Sequence, residues 1–172
     1  MIWRVAILTC SDRCSRGEAI DRSGPALAEA VKAHLRAQIA WTSCVPDDIS
    51  AIQMKLREWS SGNDAAHLIL TTGGTGLSPR DHTPEATLPL LHKRVAGLIE
   101  LARIRCLART PKAYLSRGEA GLIGRTLVLN LPGSPRGAVE FLEAIADILP
   151  HALAVASGEA ADHHKSTDSE RS

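Results

Sequence analysis

A chain of 172 residues is sized for one domain with a buried core of its own. Its 44% hydrophobic and 23% charged residues are ordinary for a globular protein, and no stretch approaches the ~20 apolar residues needed to span a bilayer. A formal net charge of +1 gives no whole-molecule field for nucleic acid or an anionic membrane, so neither is expected as a partner and any anion site must be built locally.

Residues 3–9 read as a strand, and the apolar start is too short and too broken for a signal peptide, which implies a cytoplasmic protein. Ser23-Gly24-Pro25 opens a helix to about residue 36, with Leu27, Ala30, Val31, Ala33 and Leu35 as its apolar positions. Residues 40–45 form a second strand. Asp48 then caps a helix to about residue 59 that carries Ile49, Ile52, Met54 and Leu56. Residues 66–71 form a third strand, followed by helices over about 84–91 and 97–107. Residues 110–124 lack clean periodicity and read as short irregular strands in a side hairpin. Residues 126–131 are a strongly patterned strand, and 135–148 a helix that continues, bent at Pro150, to about residue 157.

From Gly158 the chain loses its apolar residues, so residues 1–157 are read as a single domain and 158–172 as a disordered polar tail. His163-His164 in that tail reads as a solvated pair rather than a metal site. Cys10, Cys14, Cys44 and Cys106 show no C-x-x-C spacing and read as free thiols in a reducing compartment.

Strands alternating with helices imply an α/β fold of three layers, a mostly parallel central sheet with helices on both faces. Right-handed crossovers then place the strand-to-helix loops at the carboxyl edge of the sheet, where open α/β folds bind ligands.

The most informative of those loops is Leu70-Thr71-Thr72-Gly73-Gly74-Thr75-Gly76-Leu77-Ser78-Pro79-Arg80-Asp81-His82-Thr83-Pro84-Glu85. A buried strand turns through three glycines and enters a helix with Thr83 as cap, Pro84 in the first turn and Glu85 behind it. Free amides and a helix N-terminus favour an anion, so the loop reads as a phosphate site, with Asp81 placed to hold a metal counter-ion. Nothing matches G-x-x-x-x-G-K-[ST], and the glycine spacing does not fit G-x-G-x-x-G. Ser23-Gly24-Pro25 and Ser134-Pro135 repeat the design of a hydroxyl cap with proline just inside, which suggests a polyanionic ligand. On residue logic alone Asp47 is equally a cap or a ligand, Arg80 faces a phosphate or pairs with Asp81, and His82 faces solvent.

TTGGTG followed by RDHTPEA resembles the signature of the molybdopterin adenylyltransferases, the MogA/MoaB-like group that includes the G domain of gephyrin. Ile7-Leu8-Thr9-Cys10-Ser11-Asp12-Arg13, leading through Asp21-Arg22-Ser23-Gly24-Pro25, is similar to the family's first strand, loop and helix start. Val45-Pro46-Asp47-Asp48, Leu115-Ser116-Arg117 and Leu129-Asn130-Leu131-Pro132-Gly133-Ser134-Pro135 resemble its P-D, LSR and NLPG-x-P segments in the same order, so the resemblance runs over residues 3–157.

The resemblance implies the molybdenum cofactor biosynthesis protein fold, and it makes Asp47 and Asp81 the two essential aspartates, catalytic and holding Mg²⁺. It implies that Ser11, Asp12 and Asp21 touch substrate, that Gly73, Gly74, Thr75 and Gly76 hold phosphate, and that Ser116 and Arg117 lie near a pterin pocket. Pro132, Gly133 and Ser134 would let a nucleotide or pterin approach the backbone, and the Asn130 amide either reads an adenine edge or satisfies turn backbone. The implied reaction is adenylylation of molybdopterin by ATP, in a homotrimer that passes product to a molybdenum insertase. The alternatives are a trimeric scaffold and a non-catalytic MoaB-type molybdopterin-binding protein, and against the second the intact RD-x-TPEA run with Asp47 weighs.

Overall fold

The structure, a computed structural model, describes residues 1–158, so of the tail expected from Gly158 all but Gly158 itself lies outside the described residues. In chain order the elements are β1 (Trp3–Cys10), α1 (Asp12–Ser15), α2 (Ser23–His34), β2 (Ala37–Val45), α3 (Ile49–Trp59), β3 (Leu68–Thr72), α4 (Thr83–Thr87), β4 (Lys93–Arg94), α5 (Ala96–Cys106), β5 (Ala120–Ile123), β6 (Thr126–Leu131), α6 (Pro135–Ile145) and α7 (Leu149–Ser157). Two 3₁₀ turns, Leu88–Leu90 and Pro111–Leu115, complete the set.

One six-stranded sheet runs in the order β2-β1-β3-β6-β5-β4. The first four strands are mutually parallel, and β5 and β4 extend the sheet in antiparallel sense. Period-two alternation assigns each face. Val5, Ile7, Leu68, Leu70, Leu127 and Leu129 point to the layer holding α2, α5, α6 and α7, where Leu27, Ile99, Phe141 and Leu149 meet them. Ala6, Leu8, Ile69 and Val128 point to the opposite layer, onto Ile52, Leu56 and Trp59 of α3 and Ala86 of α4. With both faces covered, β3 and β6 are buried along their whole length and have no solvent side, as a parallel sheet between two helical layers requires.

Three sequence expectations are corrected. The helix expected over 84–91 ends at Thr87 and tightens into a 3₁₀ turn, because Pro89 has no N–H to continue the ladder. The long C-terminal helix is two helices, with a break at residues 146–148 and Pro150 in the first turn of α7. Residues 110–124 do not form a separate side hairpin. Their strand β5 joins the main sheet through a two-residue turn at Gly124-Arg125, with Gly124 at φ +59.

The chain leaves β1 toward β2 on one side and leaves β3 toward β6 on the other, so the loops after β1 and β3 part at a topological switch point. The loops after β2 and β6 open on the same carboxyl edge. All the segments singled out in the sequence, apart from Ser116-Arg117, end there.

Candidate active site

The loop after β3 is shaped by its glycines. Gly73 and Gly74 hold φ of +99 and +63, and a Cβ on Gly73 would run into the backbone oxygen of Cys10. Among the described residues no protein acceptor takes the amides of Gly74, Thr75 and Gly76, whereas the Gly73 amide is spent on Leu131 O. The free backbone donors of the loop are therefore those three amides. The helix behind them adds little, since α4 is five residues long and its Thr83 is not the cap: the Thr83 hydroxyl donates to Gly73 O at 2.8 Å.

Two carboxylates flank the glycines. Asp47 follows β2, and its Oδ1 lies 3.1 Å from the position a Cβ on Gly74 would take; Asp81 Oδ2 lies 2.8 Å from the corresponding position on Gly76. Asp47 Oδ2 accepts from the Asp12 amide at 3.0 Å, and the Asp47 amide returns the bond to Asp12 Oδ1 at 3.1 Å. Asp47 Oδ1 is buried with no hydrogen-bond partner among the described residues. Burial pushes the Asp47 carboxyl above its ordinary range, the Asp12 amide opposes that rise, and the charges of Asp12 and Asp81 add to it. Asp81 Oδ2 accepts from the Ser78 amide at 2.9 Å, which fixes the loop around it. Asp48, next to Asp47, is the cap of α3 and accepts from the Ala51 amide at 2.9 Å.

Two adjoining clefts share the loop. One, of about 440 Å³, is lined by Gly74, Thr75, Gly76, Asp81, Ser116, Pro132, Gly133 and Ser134, over apolar Leu115 and Phe141. The other, of about 350 Å³, takes Ser11, Asp21, Gly73 and, again, Gly133. Between them a Cβ on Gly133 would lie 3.0 Å from the Gly73 Cα, so two glycine backbones form the thin wall. A ligand with two ends and a phosphate middle fits this plan better than a compact one.

Several predicted residues also brace the backbone around the clefts. Asp12 is gripped by Arg80 through Nε and Nη2 at 2.8–3.0 Å, and that guanidinium holds its carboxyl below the usual range. Arg80 thus pairs with Asp12 rather than with Asp81. Asp21 accepts from Thr9 Oγ1 at 2.6 Å, the Gly24 amide at 3.0 Å and Ser23 Oγ at 3.3 Å, so it, not Ser23, secures the start of α2. Ser11 and Ser134 cap α1 and α6. Asn130 is enclosed: its Nδ2 donates to Thr71 and Thr87 Oγ1, both at 3.0 Å, and its Oδ1 accepts from the Glu119 amide at 3.2 Å, which leaves no atom for an adenine edge.

The sequence reading missed the wall of the larger cleft formed by Cys106, Thr110, Lys112 and Glu140. Glu140 is engaged by Arg136 at 2.7 Å, which leaves Lys112 as a cation with no ion-pair partner among the described residues on this cleft. No local signal marks these residues, because α5, α6 and the 3₁₀ turn bring them together only in the fold. The four cysteines are free. Burial pushes the Cys10 thiol up to about 12, Cys44 to about 11 and Cys106 upward, so no thiolate stands ready as a nucleophile.

A family model described as a probable molybdopterin binding domain, of molybdenum cofactor biosynthesis, matches residues 6–151. A molybdopterin adenylyltransferase of Helicobacter pylori is 36% identical over 150 residues, covering 87% of this chain and 85% of the relative. The chain belongs to that family. Its sheet and loops agree with a solved member, the molybdopterin biosynthesis enzyme MoaB of Thermus, at a TM-score of 0.86 and 50% identity over 91% of this chain and 98% of the other. Gephyrin of Dictyostelium discoideum is 44% identical over 162 residues, and there the chain spans only 22% of the relative's length. Among the described residues no helix is long and apolar enough to cross a membrane. Among the described residues no group of three or more His, Cys, Asp or Glu is placed to hold a metal ion.

Proposed function

We propose that this chain transfers the adenylyl group of ATP to the terminal phosphate of molybdopterin, giving molybdopterin-AMP and pyrophosphate. The observation that carries the reading is the glycine loop 74–76, with free amides for phosphate, set between the carboxylates of Asp47 and Asp81. The relative named molybdopterin adenylyltransferase, matched over most of both chains, supports the choice of reaction.

A phosphate oxygen of molybdopterin attacks the α-phosphorus of ATP as the bond to pyrophosphate breaks. That nucleophile is already ionised, so no protein base is required, in keeping with three thiols held neutral around the site. The amides of Gly74, Thr75 and Gly76 orient the phosphates, and the two clefts either side of the Gly73–Gly133 wall take the pterin and adenine ends. Mg²⁺ would be held by Asp47 and Asp81 together with phosphate oxygens and would neutralise phosphate charge. The unpartnered Asp47 Oδ1 fits such a ligand: it is a buried oxygen with nothing else to satisfy it. A cytoplasmic homotrimer passing its product to an insertase completes the proposal; in the gephyrin relative the matched region is part of a longer chain, which leaves room there for a second activity.

A second reading is a MoaB-type protein that binds molybdopterin without turning it over, raised by the 50% identical Thermus structure, whose name is MoaB rather than adenylyltransferase. Purified protein given molybdopterin, ATP and Mg²⁺ should form molybdopterin-AMP by mass spectrometry, and none when any component is left out. Tight pterin binding without product would replace the first reading by the second.

A further inference from the structure

We infer that Arg117 is the positioning residue of this site: braced by Glu85, its guanidinium ties both ends of the 76–81 loop and so sets where Asp81 stands. The backbone amide of Arg117 donates to Thr75 O at 2.8 Å, and its Nε donates to Gly76 O at 2.8 Å. Its Nη2 reaches the other end of the loop and donates to Asp81 O at 2.9 Å. Nη1 pairs with Glu85 of α4, whose second carboxylate oxygen lies 3.4 Å from Nη2. One planar fork thus spans two loop carbonyls and one helix carboxylate, a geometry that a point-charge ammonium lacks.

The loop has little else to hold it. Leu77 is 68% exposed, and the remaining hydrogen bonds of residues 77–81 to other segments run through Arg80 to Asp12. The bonds between Ser78 and Asp81 shape the turn without anchoring it. The Arg117–Glu85 pair is itself partly exposed, and such pairs add little to global stability. Its effect falls instead on the placement of Asp81, where a shift of about 1 Å is enough to cost ~100-fold in rate. The hydrogen bond from Arg117, with its charge adding a smaller part, also holds the Glu85 carboxyl below its ordinary range, so the brace stays ionised through neutral pH.

The inference rests on the proposed role of Asp81, and its test separates the two. Arg117→Ala, Arg117→Lys and Glu85→Gln are compared with the parent protein in two measurements. The first is amide hydrogen exchange of residues 77–81 in ligand-free protein. The second is kcat, KM and the Mg²⁺ concentration for half-maximal rate in molybdopterin-AMP formation. Arg117→Ala is expected to keep its melting temperature, speed exchange in the loop at least ~10-fold, lower kcat ~100-fold and raise the Mg²⁺ requirement. Arg117→Lys is expected to recover only a small part, since one ammonium cannot reach both carbonyls. Glu85→Gln should fall between the two. Unchanged loop exchange in Arg117→Ala, or full recovery by lysine, overturns the clamp. A parent protein that forms no product ends the functional reading alone, and the exchange measurement then decides the clamp by itself.

Discussion

Asp12 and Asp47 exchange hydrogen bonds across the loops after β1 and β2, each carboxylate accepting the other's backbone amide at 3.0 and 3.1 Å. Two like charges are thereby held together, and Arg80 offsets them from the exposed side through Asp12. Arg80 lowers the proton affinity of both carboxylates. Arg80→Ala should therefore raise both, and the acidic limb of kcat/KM against pH should move to higher pH. A limb that stays in place would show that neither carboxylate titrates in the rate-controlling step.

Asp47 costs the ligand-free fold stability. Its raised carboxyl pKa means that the ionised form is disfavoured in the folded chain, with Oδ1 buried and unpartnered. Asp47→Asn keeps an oxygen for the Asp12 amide and removes the charge, so the ligand-free protein should melt higher by a few degrees while turnover falls. The sign with pH follows from linkage. The penalty of ionised Asp47 is full above its raised folded-state value and disappears once pH drops below its ordinary unfolded-state value. The gain in melting temperature should thus be largest at neutral pH and shrink as the solution is acidified through that window. A gain that grows on acidification would contradict the burial account.

Local chemistry made most of the fold legible. β3 and β6 are buried throughout and mostly apolar, and Ser134-Pro135 and Asp48 open helices where their types predict. What escaped was what only tertiary contact decides. Nothing near Lys93–Arg94 marks a strand, because two exposed basic residues gain that state from pairing with β5. Asn130 sits where a turn amide facing ligand was a fair reading, yet the hydroxyls of Thr71 and Thr87, distant in sequence, enclose it. Sequence left Arg80 to face a phosphate or to pair with Asp81, and its long side chain reaches Asp12 instead. The glycine loop was legible because its spacing carries a backbone requirement within a few residues; the larger cleft's far wall was not, because helices separated by dozens of residues assemble it.

Asn130→Ala should be a stability variant. It leaves the Glu119 amide without its acceptor and the hydroxyls of Thr71 and Thr87 without their donor in the interior. Unsatisfied groups of this kind cost about 1–3 kcal/mol each, so a loss of about 3 kcal/mol, or roughly 6–12 °C in melting temperature, is expected. Molybdopterin and ATP affinities of the remaining folded protein should match the parent. A selective loss of ATP affinity at full stability would return Asn130 to the adenine.

Asp81→Asn separates charge from shape. The amide oxygen still accepts from the Ser78 amide, so the turn persists and ligand affinity should change little. Loss of one anionic ligand to a cation that neutralises phosphate charge removes several kcal/mol of transition-state stabilisation, or about 100- to 10,000-fold in kcat. Activity near the parent level would remove Asp81 from catalysis and, with it, the purpose assigned to the Arg117 clamp.

Gly73 and Gly62 form a matched pair for testing how closely the site's backbones approach. Both have positive φ, +99 and +81, so alanine at either pays the same kind of conformational cost, of order 1–3 kcal/mol. A Cβ at Gly62 meets nothing within 4 Å, whereas at Gly73 it strikes the backbone oxygen of Cys10, and the Gly133 backbone closes the other side. Backbone cannot rotate away as a side chain does. Gly62→Ala should lose stability modestly and keep its turnover. Gly73→Ala should lose more stability and nearly all turnover, because relief of the clash must part β3 from β1 or push the glycine loop from between Asp47 and Asp81. Equal effects of the two substitutions on melting temperature and kcat would show that conformation alone, and not the close approach of Gly73 to Cys10, governs the loop.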